Sequence, residues 1–228
     1  MPTRRRFLQD SIKSSIGLSG SLLFHTNLMA SEMPADITEL SASNLSMAIQ
    51  QKEVSCAEVM QAYLSRIHRY NPVYNAIVSL IEDDELFNQA RRADAELARG
   101  EYRGWMHGMP HAIKDVRGAA GLPFTSGSPL YAERIAETDH PLAAAIRGAG
   151  AIFIGKTNVP EFGLGSQSYN PVFGATGSAW NPALTSGGSS GGAASGLGTH
   201  MLPSADGSDT MGSLRNPGAF NGVIGFRP

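Results

Sequence analysis

Lys114 stands at the end of an apolar run, Gly108-Met109-Pro110-His111-Ala112-Ile113, with Asp115 next to it. A lysine accepts a proton near neutrality only where its ammonium form is disfavoured, and burial does that by desolvating the charge. Two glycine-flanked serine stretches lie further along: Gly187-Gly188-Ser189-Ser190-Gly191-Gly192, and Gly207-Ser208-Asp209-Thr210-Met211-Gly212-Ser213. Together they are the parts of a serine nucleophile activated by a neutral amine. A Ser-His-Asp triad would instead require a histidine and an acid. Asp115 is the structural competitor, because pairing with it would keep the amine charged. Neighbouring residues of a strand, however, point to opposite faces.

The glycine-bracketed serines have other readings. A phosphate cradle is one, although the Gly-Lys-Ser/Thr ending of a nucleotide loop is missing. A flexible loop is another, opposed by the helix of small residues that follows, which would press the loop onto a sheet. In the second stretch a glycine precedes Ser213, and the backbone N–H groups of Thr210, Met211, Gly212 and Ser213 could converge as oxyanion donors. The Gly-x-Ser-x-Gly elbow is excluded, since Arg215 stands two residues after Ser213. Arg215 either binds a substrate carboxylate or pairs with Asp209.

Composition narrows the class. The chain has 228 residues, 42% hydrophobic and 17% charged, with a net charge of -2. That suffices for a real core, and near-neutrality gives no reason to expect nucleic acid or an anionic membrane as partner. Cys56 is the single cysteine, so no internal disulfide forms, and it reads as a buried, inert thiol. No His/Cys/Asp set has metal-ligand spacing, so neither metal nor cofactor is expected. His111 and His200 read as packing or surface residues. At the amino terminus, Arg4-Arg5-Arg6-Phe7-Leu8 precedes a short, weakly apolar stretch from Ile12 to Phe24. This reads as an export signal over residues 1–30 with a twin-arginine-like head. Ala30 is a small residue before a cleavage point, the stretch is too short and polar to span a membrane, and the destination is the periplasm. A basic tail on a cytoplasmic protein is the alternative.

The elements that must position these groups follow from periodicity. Leu40, Leu45, Ala48 and Ile49, then Val59, Tyr63, Leu64 and Ile67, mark two amphipathic helices. Thr38 or Ser41 caps the first, and Ser55 with Glu58 forms a capping box for the second, which Asn71-Pro72 ends. Ala76 to Ile81 reads as a strand and Leu86 to Leu97 as a helix. Strand 108–115 delivers Lys114; Leu142 to Arg147 is a helix stopped by Gly148, and Ala151 to Gly155 a buried strand. Helix, glycine stop and apolar strand make one unit of an α/β layer. Residues 170–190 read as loop, Gly191 to Thr199 as a helix, and Val223 to Phe226 as a last strand. The expectation is one α/β domain over 31–228 whose sheet is cut off before completion.

Taken in order, the Lys-Asp pair, the Gly-Gly-Ser-Ser-Gly-Gly run and Gly-Ser-Asp-Thr-x-Gly-Ser-x-Arg-x-Pro resemble the amidase signature family from about Ser41 to Pro228. Gly155-Lys156-Thr157-Asn158-Val159-Pro160-Glu161-Phe162 and Gly225-Phe226-Arg227-Pro228 are similar to further landmarks of that family. The resemblance implies a mixed twisted sheet flanked by helices, truncated before its carboxyl-terminal part. It also implies a Ser–cis-Ser–Lys triad hydrolysing carboxylic amides. Ser213 would attack the carbonyl, and Ser189, held by a cis peptide after Gly188, would relay the proton to Lys114. Ser190 would orient the relay, with Asp209 and Arg215 structural beside the site. Met211 departs from the family's commoner glycine, leaving its backbone N–H but narrowing the approach to Ser213. The partner implied is a small-molecule amide, with a homo-oligomer open. Two other readings remain: the amidase component of a glutamyl-tRNA amidotransferase, and a catalytically silent chain that needs a missing carboxyl-terminal part.

Overall fold

The two long amino-terminal helices bury one face each, and their caps explain where they begin. The computed structural model describes residues 36–228, so the export signal proposed for residues 1–30 lies outside the described residues. Helix α1 (Ala42–Gln50) starts at Ser41, whose hydroxyl accepts the Asn44 N–H. Thr38 is not a cap: it lies in a 3-10 turn capped by Asp36. Helix α2 (Cys56–Tyr74) opens on the expected capping box, with the Ser55 hydroxyl accepting the Glu58 N–H and Glu58 accepting the Ser55 N–H. Such caps stabilise a helix by about 1 kcal/mol. The next free donors, the N–H groups of Cys56 and Ala57, go to the carboxylate of Asp94 at 2.6 and 3.1 Å. Asp94 belongs to α3 (Asp83–Ala98), so one carboxylate satisfies a helix terminus and ties two helices together.

Helix α2 continues past Asn71-Pro72 to Tyr74, correcting the expected stop. Pro72 forfeits only one ladder bond, and the true terminator is Asn75, left-handed at φ 49°. The Asn71 side chain then organises the turn, accepting the N–H groups of Ala76 and Ile77. The strand that follows is shorter than expected: β1 is Ile77–Val78, ended by Ser79 at φ 50°.

Strands β2 (Pro110–Lys114) and β3 (Ile152–Thr157), with α4 (Pro141–Gly148) between them, make the expected parallel unit. The order is β1-β3-β2, with β1 antiparallel and β2 parallel to β3, so the sheet is mixed. Alternation divides the packing. Ala112 and Ile154 face the main core of α1–α3, with Leu45, Met60, Tyr63, Leu64 and Leu86. Ile113 and Phe153 face a smaller cluster with Ala119, Leu122 and Ala143. Each fully buried large aliphatic contributes about 1.5–3 kcal/mol.

Beyond β3 the chain makes a two-stranded ribbon, β4 (Tyr169–Asn170) with β5 (Gly174–Ala175). Helix α5 (Gly191–Gly198) follows, then α6 (Arg215–Asn221). Helix α6 was not foreseen, and the strand expected at Val223–Phe226 is absent: those residues are irregular, after the left-handed Gly222 at φ 68° ends α6. Among the described residues no helix is long and apolar enough to cross a membrane.

The small residues of α5 serve close approach. A Cβ on Gly192 would run into Asn158 N and Ala76 O, both rigid backbone. Gly192→Ala therefore destabilises by about 1–3 kcal/mol through overpacking. Gly148→Ala, which meets nothing within 4 Å at the end of α4, is neutral or stabilising. Urea denaturation of the two variants checks this; equal midpoints would refute the close-packing account.

Candidate active site

Strand β2 ends on Lys114, and the two residues that complete its edge fix where the side chain goes. The Lys114 N–H donates to Asp206 Oδ1 at 2.8 Å, and its carbonyl accepts the Arg117 N–H at 3.0 Å. The side chain is fully buried, and Nζ meets three hydroxyls: Ser189 Oγ and Ser190 Oγ at 2.8 Å, and Ser208 Oγ at 2.9 Å. A neutral amine has two N–H donors and one lone pair. Three hydroxyl partners satisfy it completely, with one hydroxyl donating to nitrogen. Burial pulls the lysine pKa down to about 7; the nearby Arg117 guanidinium adds to this, and Asp206 and Asp209 oppose it.

Asp115 is not the partner of Lys114. Its side chain points to the other face, where it accepts from Thr125 Oγ1 at 2.6 Å and the Thr125 N–H at 3.2 Å. Lys156 Nζ lies 3.7 Å from Asp115 Oδ1 and donates to the Arg117 carbonyl at 2.6 Å. Burial pushes the Asp115 carboxyl up and the Lys156 amine down. The adjacent strands β2 and β3 thus carry one buried lysine each, one held by hydroxyls and the other beside a carboxylate.

The serines arrive on α5 and on the loop before α6. A cis peptide joins Gly188 to Ser189, and Ser190 is the N-cap of α5. Ser168 holds this turn from behind: its hydroxyl accepts the Gly191 N–H at 2.9 Å and donates to the Ser189 carbonyl at 3.4 Å. In the second loop Asp209 is the organiser. Its carboxylate accepts the N–H groups of Gly212, Leu214 and Arg215, and the Arg215 Nε at 2.9 Å and Nη2 at 3.0 Å. Arg215 foremost holds this carboxyl well below the ordinary range. The pairing leaves Arg215 committed to the loop.

Ser213 is half-buried, and its carbonyl accepts the Ser190 N–H at 3.1 Å. Among the described residues its hydroxyl makes no hydrogen bond to Ser189 or Lys114. The expected set of four converging donors is also reduced: the Gly212 N–H is taken by Asp209 at 2.7 Å. The N–H groups of Thr210, Met211 and Ser213 are not drawn into hydrogen bonds among the described residues. Met211 is 89% exposed, so its side chain lies over the mouth of the loop rather than in the core.

Sequence reasoning passed over Ser208, although it lies inside the quoted motif, and over Asp206. A glycine at 207 followed by a serine five residues before Ser213 was the available signal for the former. Asp206, buried between apolar positions and the loop, gave none. His111 is buried, as expected for a packing residue, and lines a cleft of about 410 Å³ with Ser190, Asp206, Leu142, Leu197 and Phe226. Cys56 is buried with its thiol pKa pushed up, first by desolvation.

The family model described as Amidase matches residues 58–228. The chain belongs to the amidase family. Among curated relatives, it is 39% identical over 194 residues to a glutamyl-tRNA(Gln) amidotransferase subunit from Acidothermus cellulolyticus, covering 85% of this amidase chain and 38% of the relative. Among solved structures, a fatty acid amide hydrolase superposes with a TM-score of 0.77 at 29% identity, over 81% of this chain and 32% of that one. The native peptide amidase of Stenotrophomonas maltophilia gives 0.73 at 30% identity, over 80% and 39%. The chain therefore spans about two-fifths of the length of the curated relatives it matches. The architecture, α/β with a small mixed sheet, is that of these enzymes.

The buried lysine has a signature in stability. Unfolded, Lys114 titrates at about 10.4; folded, at about 7. Between these values the unfolded chain binds a proton that the native one does not, so native stability falls as pH drops through that window, by up to about 4–5 kcal/mol. Lys114→Met escapes the penalty. At pH 7 it is the more stable protein, by about 1–3 kcal/mol, and the advantage shrinks towards pH 10. Denaturation midpoints of both proteins at the two pH values test this; a pH-independent difference would place the amine in water.

Proposed function

We propose that this amidase hydrolyses carboxylic amides to an acid and ammonia or an amine, with Ser213 as nucleophile and Ser189 and Lys114 as proton relay. The observation that carries the reading is the buried Lys114 amine with three hydroxyl oxygens within 2.9 Å. Ser190 Oγ has a second acceptor, the Ser208 carbonyl at 3.5 Å, whereas Ser189 Oγ bonds only to the amine, which suits it to donate there.

Ser213 Oγ attacks the amide carbonyl carbon and passes its proton to Ser189 Oγ, which gives its own to the neutral Nζ. The carbonyl oxygen becomes an oxyanion, for which the free N–H groups of Thr210, Met211 and Ser213 are donors. The C–N bond then breaks as the proton returns along the relay to the leaving nitrogen. Water attacks the Ser213 ester by the same route, releasing the acid and restoring the serine. The hydrogen bond between Ser213 and Ser189 has to form as substrate binds, as catalytic hydrogen bonds commonly do. The Ser190 N–H already ties the Ser213 backbone beside the relay. Every proton is carried by side chains, so no cofactor is called for.

The curated relatives favour a second reading, a component of an amidotransferase that works with partner chains. The twin-arginine-like head at Arg5-Arg6-Phe7-Leu8 supports the first, since export would separate the chain from such partners.

Assay of the purified chain on simple aryl and alkyl amides tests the proposal. Lys114→Ala, Ser189→Ala and Ser213→Ala each lower turnover by about a thousand-fold or more. The wild-type rate rises with pH through about 7, as Lys114 loses its proton. A fluorophosphonate adduct maps to Ser213 by peptide mass. Undiminished turnover in the variants removes the mechanism, and activity only with an added partner protein favours the second reading.

A further inference from the structure

Asp206 lies two residues before Ser208, in the loop after α5, and its carboxylate is nine-tenths buried without being paired to any lysine. Oδ1 accepts the backbone N–H of Lys114 at 2.8 Å, and Oδ2 accepts Arg117 Nη1 at 3.1 Å. His111 Nε2 stands 3.4 Å from Oδ1 without closing a hydrogen bond. One carboxylate therefore touches the start, the end and the following turn of β2.

Arg117 is anchored at both ends, its carbonyl by Lys156 and its guanidinium by Asp206. The ions around Lys114 can be assigned element by element. From β2, Asp115 faces away towards Lys156 of β3, and His111 faces Asp206. From the turn comes Arg117, and from the loops Asp206 and Asp209. Helix α5 presents only the Ser189 and Ser190 hydroxyls.

We propose that Asp206 is a positioning residue for Lys114. It pins the end of β2 through the lysine's own N–H, docks the loop that brings Ser208 to the amine, and counterbalances Arg117 so that two opposed ions adjust the amine's charge. The inference rests on the reading of Lys114 as the base. Burial alone would drive a lysine towards permanent neutrality and poor basicity. A nearby anion restores proton affinity, and a nearby cation trims it. Because Asp206 is bonded to the lysine backbone rather than to Nζ, it does this without occupying the lone pair that the relay uses. Its own carboxyl is raised by burial, but the contacts with His111, the Lys114 N–H and Arg117 outweigh this and hold it below the ordinary value, so it stays an anion.

The test needs no turnover, so it separates this proposal from the amidase mechanism. The chain is labelled with [13Cε]lysine, the Lys114 resonance is assigned by its loss in Lys114→Met, and its titration midpoint is followed by NMR. Asp206→Asn keeps an acceptor for the Lys114 N–H and removes the charge; the midpoint moves down by about half a pH unit or more. Arg117→Met removes the opposing charge and moves it up by a similar amount. Amide hydrogen exchange at Lys114 is about ten-fold faster in Asp206→Ala and is largely restored in Asp206→Asn. If an Asp206 variant fails to fold, the upward shift in Arg117→Met decides. Shifts in the same direction, no shift in Arg117→Met, or unchanged exchange in Asp206→Ala would overturn the proposal. Opposed shifts in a chain that hydrolyses no amide would leave it standing and remove the mechanism instead.

Discussion

An amine without an ionic partner, sealed among hydroxyls, is the constraint around which the rest of the molecule is arranged. Desolvating a lysine is costly, and a protein that only needed stability would fill the space with an aliphatic side chain. Here the cost is sustained by the helical core behind the sheet and directed into chemistry. Three hydroxyl oxygens meet the nitrogen at 2.8–2.9 Å, so no polar atom of the amine is orphaned even though its charge is disfavoured.

Lys156 provides the internal control. It is as deeply buried as Lys114, lies on the neighbouring strand, and has Asp115 within 3.7 Å and a carbonyl at 2.6 Å. Two lysines in nearly the same layer thus carry different partners: carboxylate and carbonyl for one, hydroxyls for the other. Strand alternation makes the difference possible, since Asp115 turns away from Lys114 and towards Lys156. The same division places the ions Asp115 and Lys156 on one side of β2 and the serine cluster on the other.

Glycine and small side chains make the cluster reachable. The cis-linked Ser189 and Ser190 at the start of α5 come close to β3 because Gly192 lies against the backbone of Asn158 and Ala76. The second loop is shaped by Asp209, whose carboxylate gathers three N–H groups and Arg215. That gathering is why Gly212 is no longer a free donor, and why Arg215 holds the loop.

Helix periodicity, the Ser55–Glu58 box, the delivery of Lys114 by a strand and the small-residue helix were all legible in the chain, because each depends on residues a few positions apart. Local chemistry also misled. Pro72 looked like a stop, yet a proline in the last turn removes only one bond, and Asn75 ends the helix. Val223 to Phe226 looked like a strand from its apolar residues, but no neighbour pairs with it here. The serines and the lysine could be nominated as types; their partners could not. That Lys114 meets Ser208, that Asp206 binds the lysine backbone across 92 positions, and that Asp115 goes to Lys156 depend on long-range packing. Hydrogen-bond partners of buried groups are decided by which backbones approach, and only the folded arrangement of sheet, α5 and the two loops sets that.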